Sequence, residues 1–180
     1  YDLSLGLSGF GDWSLDVTRM ETTGFKELQG LDNTGFVRDN LTLRWDKIIP
    51  GPLEQKITAK FNWSEEDSNE TYAGLTDEDF AANPFRRYQA TIQDEMTWIH
   101  RQYFLSYALS PLKKVHIRST AYHHEFERGW NKVNGFFDNG VDPVRPLRNI
   151  LNDPDLAANN YFYRVFSGQA NSQVLGNNRD

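Results

Sequence analysis

The chain has no cysteine, which excludes a disulfide framework and any thiolate metal site. It has no apolar run near the roughly 20 residues that a membrane-crossing helix needs. Basic residues are not in excess: 19 Lys and Arg stand against 25 Asp and Glu, so the basic face of a nucleic-acid binder is not expected. There is no glycine-rich phosphate loop and no GxSxG nucleophile elbow, and the scattered carboxylates single out no pair for hydrolysis. No enzymatic activity and no resident cofactor are therefore expected. Hydrophobic residues are few, at 38%, while aromatics reach 14%, a balance that suits aromatic-decorated strands better than packed helices. The missing apolar helix leaves a membrane β-barrel open. Its signal is alternating strands of about ten residues separated by turns.

Alternation is what the chain does have. Leu3, Leu5 and Leu7 alternate with Ser4, Gly6 and Ser8, and after a turn at Gly9–Asp12, Trp13, Leu15 and Val17 alternate with Ser14, Asp16 and Thr18. Leu41, Leu43 and Trp45 oppose Asn40, Thr42, Arg44 and Asp46. Beyond a turn at Pro50-Gly51-Pro52, Ile57, Ala59, Phe61 and Trp63 oppose Lys56, Thr58, Lys60 and Asn62. Ile99, Tyr103, Leu105, Tyr107 and Leu109 share a face that Arg101 interrupts. After Pro111–Lys114, Val115, Ile117 and Ala121 share another. From about Glu125 the alternation fails. Asp153-Pro154-Asp155 then resembles a helix start ending near Asn159-Asn160, Tyr161–Phe166 a short strand or aromatic loop, and the tail a segment without a strand partner. An all-β antiparallel up-and-down meander of about six strands is expected. No repeat or linker divides it.

The connections sort by length. Those at Gly11, Pro50 and Pro111 are short and alternate with longer ones around Gly30, Leu75 and Gly140. A barrel with short turns at one rim and long loops at the other has this pattern. Arg44, Asp46, Lys56, Lys60, His116 and Arg118 would be expensive in a dry core and are tolerable against a wet lumen. Trp13, Trp45, Trp63, Trp98 and Tyr107 lie near strand ends, where aromatic girdles belong. A soluble β-sandwich with polar outer faces is the plainer alternative.

The most elaborate loop runs from Asn62 to Tyr88. Thr76 is placed to cap a helix, with Asp79 closing a capping box and Leu75 and Phe80 in staple positions; Asn83-Pro84 ends the turn. Phe85-Arg86-Arg87-Tyr88 follows as an aromatic, cationic tip. Arg86 and Arg87 are the candidate ligand contacts, because guanidinium groups take carboxylates bidentately, and Tyr88 is a candidate stacking partner. The competing role is structural, with one arginine held by Asp79 or Glu78. His123 and His124 are adjacent on a strand and point to opposite faces, so a shared metal ion is not expected.

ETYAGLTDEDFAANPFRRY, from Glu70 to Tyr88, resembles an extracellular-loop segment of TonB-dependent outer-membrane receptors of the ferric-citrate-receptor-like branch. Asp12–Asp16 and Thr23–Leu28 resemble early barrel strands of that family, and Thr120–Tyr122 with Phe126, Arg128 and Trp130 a later one. The resemblance implies that residues 1–180 are part of a 22-stranded transmembrane β-barrel with long extracellular loops. An amino-terminal plug and the remaining strands would be supplied elsewhere in a longer protein, an expectation that Tyr1, already inside a strand pattern, also suggests. The implied activity is binding and import of a ferric chelate, iron citrate or a siderophore, in the bacterial outer membrane. The implied partners are outer-membrane lipid and, through the plug, the TonB system. A soluble extracellular carbohydrate-binding module is the runner-up.

Overall fold

The computed structural model describes residues 1–138, 141–170, 173–174 and 177–178. Six strands form one sheet in sequence order: β1 (Asp2–Gly9), β2 (Gly11–Thr22), β3 (Phe36–Ile49), β4 (Glu54–Ser68), β5 (Glu95–Leu112) and β6 (Val115–Asn131). It is an antiparallel meander, all-β in class, and the described strands do not close into a barrel. Short connections join β1 to β2, β3 to β4 and β5 to β6, whereas residues 23–35 and 69–94 form the long ones. Gly9 faces Gly11 across the first turn with Phe10 alone between them. Gly11 has φ +126°, and a Cβ there would fall 2.3 Å from Trp45 Nε1, so only glycine fits.

By contact, the chain divides into two compact units, each assembled from several segments. The first comprises residues 1–22, 37–67 and 97–129, the body of the six strands. Its two faces differ in chemistry. Leu3 pairs with Val17, Leu5 with Leu15 and Leu7 with Trp13. Contacts of Trp13 with Trp45 (5.9 Å between ring centres) and of Phe61 with Tyr103 (5.2 Å) extend that apolar face. On the other face Ser4 donates to Asp16 (2.6 Å), Thr58 to Asp46 (2.6 Å), Asn62 to Gln102 (2.8 Å) and Thr120 to Ser106 (3.3 Å). Strand alternation makes the two sets opposite. Of this unit's described residues only Glu66 and Ser106 are buried, so neither face forms a sealed core.

The apolar face bears charge mainly toward one end. Arg19 pairs with Asp39 (2.9 Å), and Arg101 reaches Glu127 (3.4 Å) and Glu125 (3.7 Å), all toward the long-loop ends of their strands. Arg101, which interrupts the apolar alternation of β5, thus sits on the long-loop side of Tyr103, Leu105, Tyr107 and Leu109. At the short-turn end Phe10, Trp13 and Trp45 cluster, Trp45 Nε1 donates to the Phe10 carbonyl (3.3 Å), and Lys47 lies 4.5 Å over the Phe10 ring. Trp98 is different. It lies on the polar face, under the Arg38 guanidinium (5.6 Å) and beside Phe126, so it drops out of the girdle set. His123 and His124 do face opposite ways, toward Tyr103 and His100 respectively.

The second unit, residues 23–36, 68–96 and 130–180, holds helices α1 (Asp77–Ala82), α2 (Leu147–Asn152) and α3 (Ala157–Phe166), and a hairpin of β7 (Gly135–Asp138) with β8 (Val141–Pro146). Its core is Tyr88, Leu147 and Phe166, backed by Leu75, Val133, Phe136 and Tyr163. Three expectations are corrected here. β6 continues to Asn131 past the point where alternation fails, because backbone pairing does not require apolar alternation. Asp153–Asp155 separates α2 from α3 instead of starting a helix; Asn159 is buried, and its amide donates to the carbonyls of Asn149 (3.0 Å) and Asp153 (2.8 Å). Tyr161–Phe166 is helical, its strand-like aromatics overridden by burial of Phe166 and packing of Tyr163. A fourth correction concerns the tail, expected to lack a strand partner: Asn177–Asn178 (β10) pairs with Gln173–Val174 (β9).

Candidate functional site

The elaborate loop around α1 is held together by polar groups. Thr76 is extended (φ −66°, ψ 159°), and its hydroxyl accepts from Asp79 N (3.2 Å), which starts α1. Asn83 is extended before Pro84 and closes the helix by donating to the Asp79 carbonyl (2.8 Å). The rest of the expected box is replaced. Thr76 N donates to the Tyr88 hydroxyl (3.1 Å), and Asp79 turns its carboxylate inward instead. Leu75 packs on the core while Phe80 is exposed, so no staple holds the turn.

Asp79 is the hub. Its carboxylate accepts from the Tyr88 hydroxyl (2.6 Å), the Tyr163 hydroxyl and Arg86 Nη1 (2.6 Å). Burial pushes this carboxyl up, but the hydroxyls of Tyr163 and Tyr88 and the Arg86 charge outweigh it and leave it below its ordinary range. Burial and the hydrogen bond to Asp79 both push the Tyr88 and Tyr163 phenols up. The network ties α1, the residues before the 3₁₀ turn at Gln89–Thr91, and α3 into one piece.

The three candidate residues have separate placements. Tyr88 is 1% exposed and Arg87 5% exposed. Arg87 Nε donates to the Thr91 hydroxyl (3.0 Å), and its Nη atoms donate to the carbonyls of Asn69, Thr91 and Asp94. Burial lowers this guanidinium from its ordinary value against the opposing charge of Asp94. Asp94 in turn accepts from the Thr71 hydroxyl (2.7 Å) and Val133 N (3.1 Å). Arg86 alone stays partly exposed, paired with Asp79 and 5.4 Å over the Tyr88 ring. Structural anchoring accounts for Arg87 and Tyr88. A ligand arriving from solvent meets Arg86.

A cavity of about 700 Å³ lies elsewhere in this unit, beside α1 and α2. Leu75, Val133, Leu147 and Leu151 line its apolar part, and Lys132, Arg148, Asp77, Glu78 and Asp155 its charged part. Tyr72, which lines it, meets Trp130 edge to face (4.5 Å), and Lys132 Nζ stands 4.3 and 4.5 Å from the two ring centres. An apolar floor, an aromatic corner and a rim of both charges equip the site to bind a small polar molecule by stacking and hydrogen bonding. None of Arg86, Arg87 and Tyr88 lines it. Tyr72, Lys132 and Arg148 lie far apart in sequence and share no local motif, so sequence reading passed over them. Among the described residues no group of three or more His, Asp or Glu could hold a metal ion. Comparison with known proteins returns no match to a family model, to a curated protein or to a solved structure.

Proposed function

We propose that this chain is part of an outer-membrane β-barrel receptor of the TonB-dependent kind, which binds a ferric chelate in its loops and passes it inward. One observation carries the reading: the sheet has two chemically finished faces and no core. Leu3, Leu5, Leu7, Tyr103, Leu105 and Ile117 are all exposed on one face, more apolar surface than a water-soluble monomer usually leaves bare. Lipid would cover it.

The vertical order on that face supports the same reading. In β4 the apolar positions run from Ile57 to Trp63, between Gln55 and Glu65. At about 3.3 Å per residue and a tilt of about 40°, Ile57 to Trp63 rises roughly 15 Å and the polar flanks Gln55 and Glu65 stand roughly 25 Å apart, so the apolar positions fit within a hydrocarbon band of about 25 Å. Aromatics lie at its short-turn border and ion pairs at its long-loop border. The opposite face, with Arg44, Asp46, Lys56, Asn62 and Gln102, is what a wet or plug-filled lumen requires. In this reading Arg86, Lys132 and Arg148 are the loop cations offered to an anionic chelate.

A soluble carbohydrate-binding module is the second reading, favoured by the Tyr72–Trp130 corner, which could stack a sugar ring. Fractionation of the producing cell separates the two. The barrel is expected in the outer membrane with a heat-modifiable shift on a gel, and brominated lipid should quench Trp13, Trp45 and Trp63 more than Trp98 and Trp130. Recovery as a soluble monomer without detergent would discard the receptor and promote the module.

A further inference from the structure

The polar face of the sheet holds a hollow of about 290 Å³ lined by Arg44, Lys56, Lys60 and Arg118. Side-chain size creates it. Ser106 and Ala108 of β5 are short, and they lie between the long cations of β4 and β6. Neighbouring strands are about 4.8 Å apart, so Lys60 and Arg118 rise from backbones about 10 Å apart across an uncharged floor.

The charges around the hollow do not balance. Asp46 accepts from Lys56 Nζ (2.8 Å), from Arg44 Nη2 (3.2 Å) and from the Thr58 hydroxyl (2.6 Å), and is committed to those groups. Among the described residues the side chains of Lys60 and Arg118 have neither a hydrogen-bond nor an ion-pair partner. Two donors with unspent charge therefore flank one concavity. Two like charges beside one concavity repel each other, and an anion between them would offset that repulsion.

We infer that this hollow binds a small multivalent oxyanion, a polycarboxylate or a phosphate, bridged between Lys60 and Arg118. Its volume lies at the low end for ligand sites, which suits a molecule of that size. The site is distinct from the loop cavity. It rests on the barrel reading only in so far as that reading leaves this face against water.

The test is isothermal titration of the full chain, folded in detergent micelles at low ionic strength, with citrate and separately with inorganic phosphate. Saturable binding of at least one is expected, and the pair of titrations shows which. Lys60→Gln with Arg118→Gln should weaken it at least about tenfold. Asp46→Asn, which releases Arg44 and Lys56, should strengthen it about threefold or more, a gain that a misfolded variant cannot imitate. Lys113→Gln, removing the same charge in the β5–β6 turn, should leave it unchanged. Absence of titration by either anion, wild-type affinity in the double variant, or binding of polyglutamate alone would overturn the inference. A chain that binds citrate yet needs no detergent keeps this site and sinks the barrel; a membrane-embedded chain that binds neither anion does the reverse.

Discussion

Replacing Leu105 with arginine tests the solvent of the apolar face directly. Leu105 is 52% exposed and sits in β5 midway along the run from Tyr103 to Leu109. If water covers it, an exposed Leu→Arg change falls within about 0.5 kcal/mol of neutral. If lipid covers it, an arginine near the midplane costs about 2–4 kcal/mol, a shift of roughly 30- to 900-fold in the folded population. Two controls make the reading specific. Thr97→Arg lies on the same face near the long-loop end, where the cost should fall to about 0–1 kcal/mol. Tyr122→Arg, at an exposed position of the polar face, should cost much less than Leu105→Arg. The assay is urea unfolding of the chain in lipid vesicles, followed by tryptophan fluorescence. A Leu105→Arg chain as stable as the wild type would refute the lipid-facing assignment. Equal large costs at Leu105 and Thr97 would refute it too, because a sealed protein layer has no depth gradient.

Three more outcomes follow from the geometry. Asp79 lies below its ordinary range, so its contribution to the loop unit is complete above about pH 4 and is lost as pH falls through its lowered folded value. Tyr88 and Tyr163 lie above theirs, so their contribution is complete below about pH 10 and is lost as pH rises further; amide exchange in residues 76–94 should therefore accelerate at both limits, and an acid limb unchanged by Asp79→Asn would disprove the account. Arg87→Gln strips donors from several buried carbonyls and should cost about 2–4 kcal/mol, whereas Arg86→Gln, at a partly exposed pair, should cost about 1 kcal/mol or less; limited proteolysis across residues 69–94 ranks them, and equal rates would contradict their different burial. Gly11→Ala forces a Cβ to within 2.8 Å of the Asp46 carbonyl at φ +126° and should destabilise the first hairpin by about 1–3 kcal/mol, read as a lower urea midpoint; an unchanged midpoint would mean that the turn can rearrange.

The sheet was legible because strand alternation is a local, two-residue signal. Leu3, Leu5 and Leu7 against Ser4 and Gly6 show a face without any knowledge of the partner strand, and the observed pairing Leu5–Leu15 matches it. Glycine and proline marked the turns at Gly9–Gly11 and Pro50–Pro52 for a similar reason, since their backbone limits are intrinsic, whereas Pro111 falls inside β5 and the last turn is Lys113–Lys114. The signal stops where both faces become polar. At Glu125 and Glu127 the cross-strand partner is Arg101, another charge, so the strand persists while hydrophobic periodicity vanishes. In residues 147–166 the failure ran the other way. Tyr-Phe-Tyr and Val-Phe read as strand by propensity, but Phe166 and Tyr163, three apart, present one helical face to the core formed with Tyr88.

Arg86 and Arg87 show why the site was less legible than the fold. Both are arginines in one extended tip, equally suited by chemistry to a carboxylate. What separates them is the set of acceptors around Arg87, and these are the main-chain carbonyls of Asn69, Thr91 and Asp94. Every residue owns a carbonyl, so such acceptors leave no trace in residue identity. Arg86 is instead held by a side chain, Asp79, and that pairing could be anticipated from the sequence because a carboxylate is visible there. Buried arginines satisfied by backbone are therefore the ones a sequence reader mistakes for ligand contacts. Cations left to meet a ligand are those at the loop surface, such as Arg86, or on the cavity rim, such as Lys132 and Arg148.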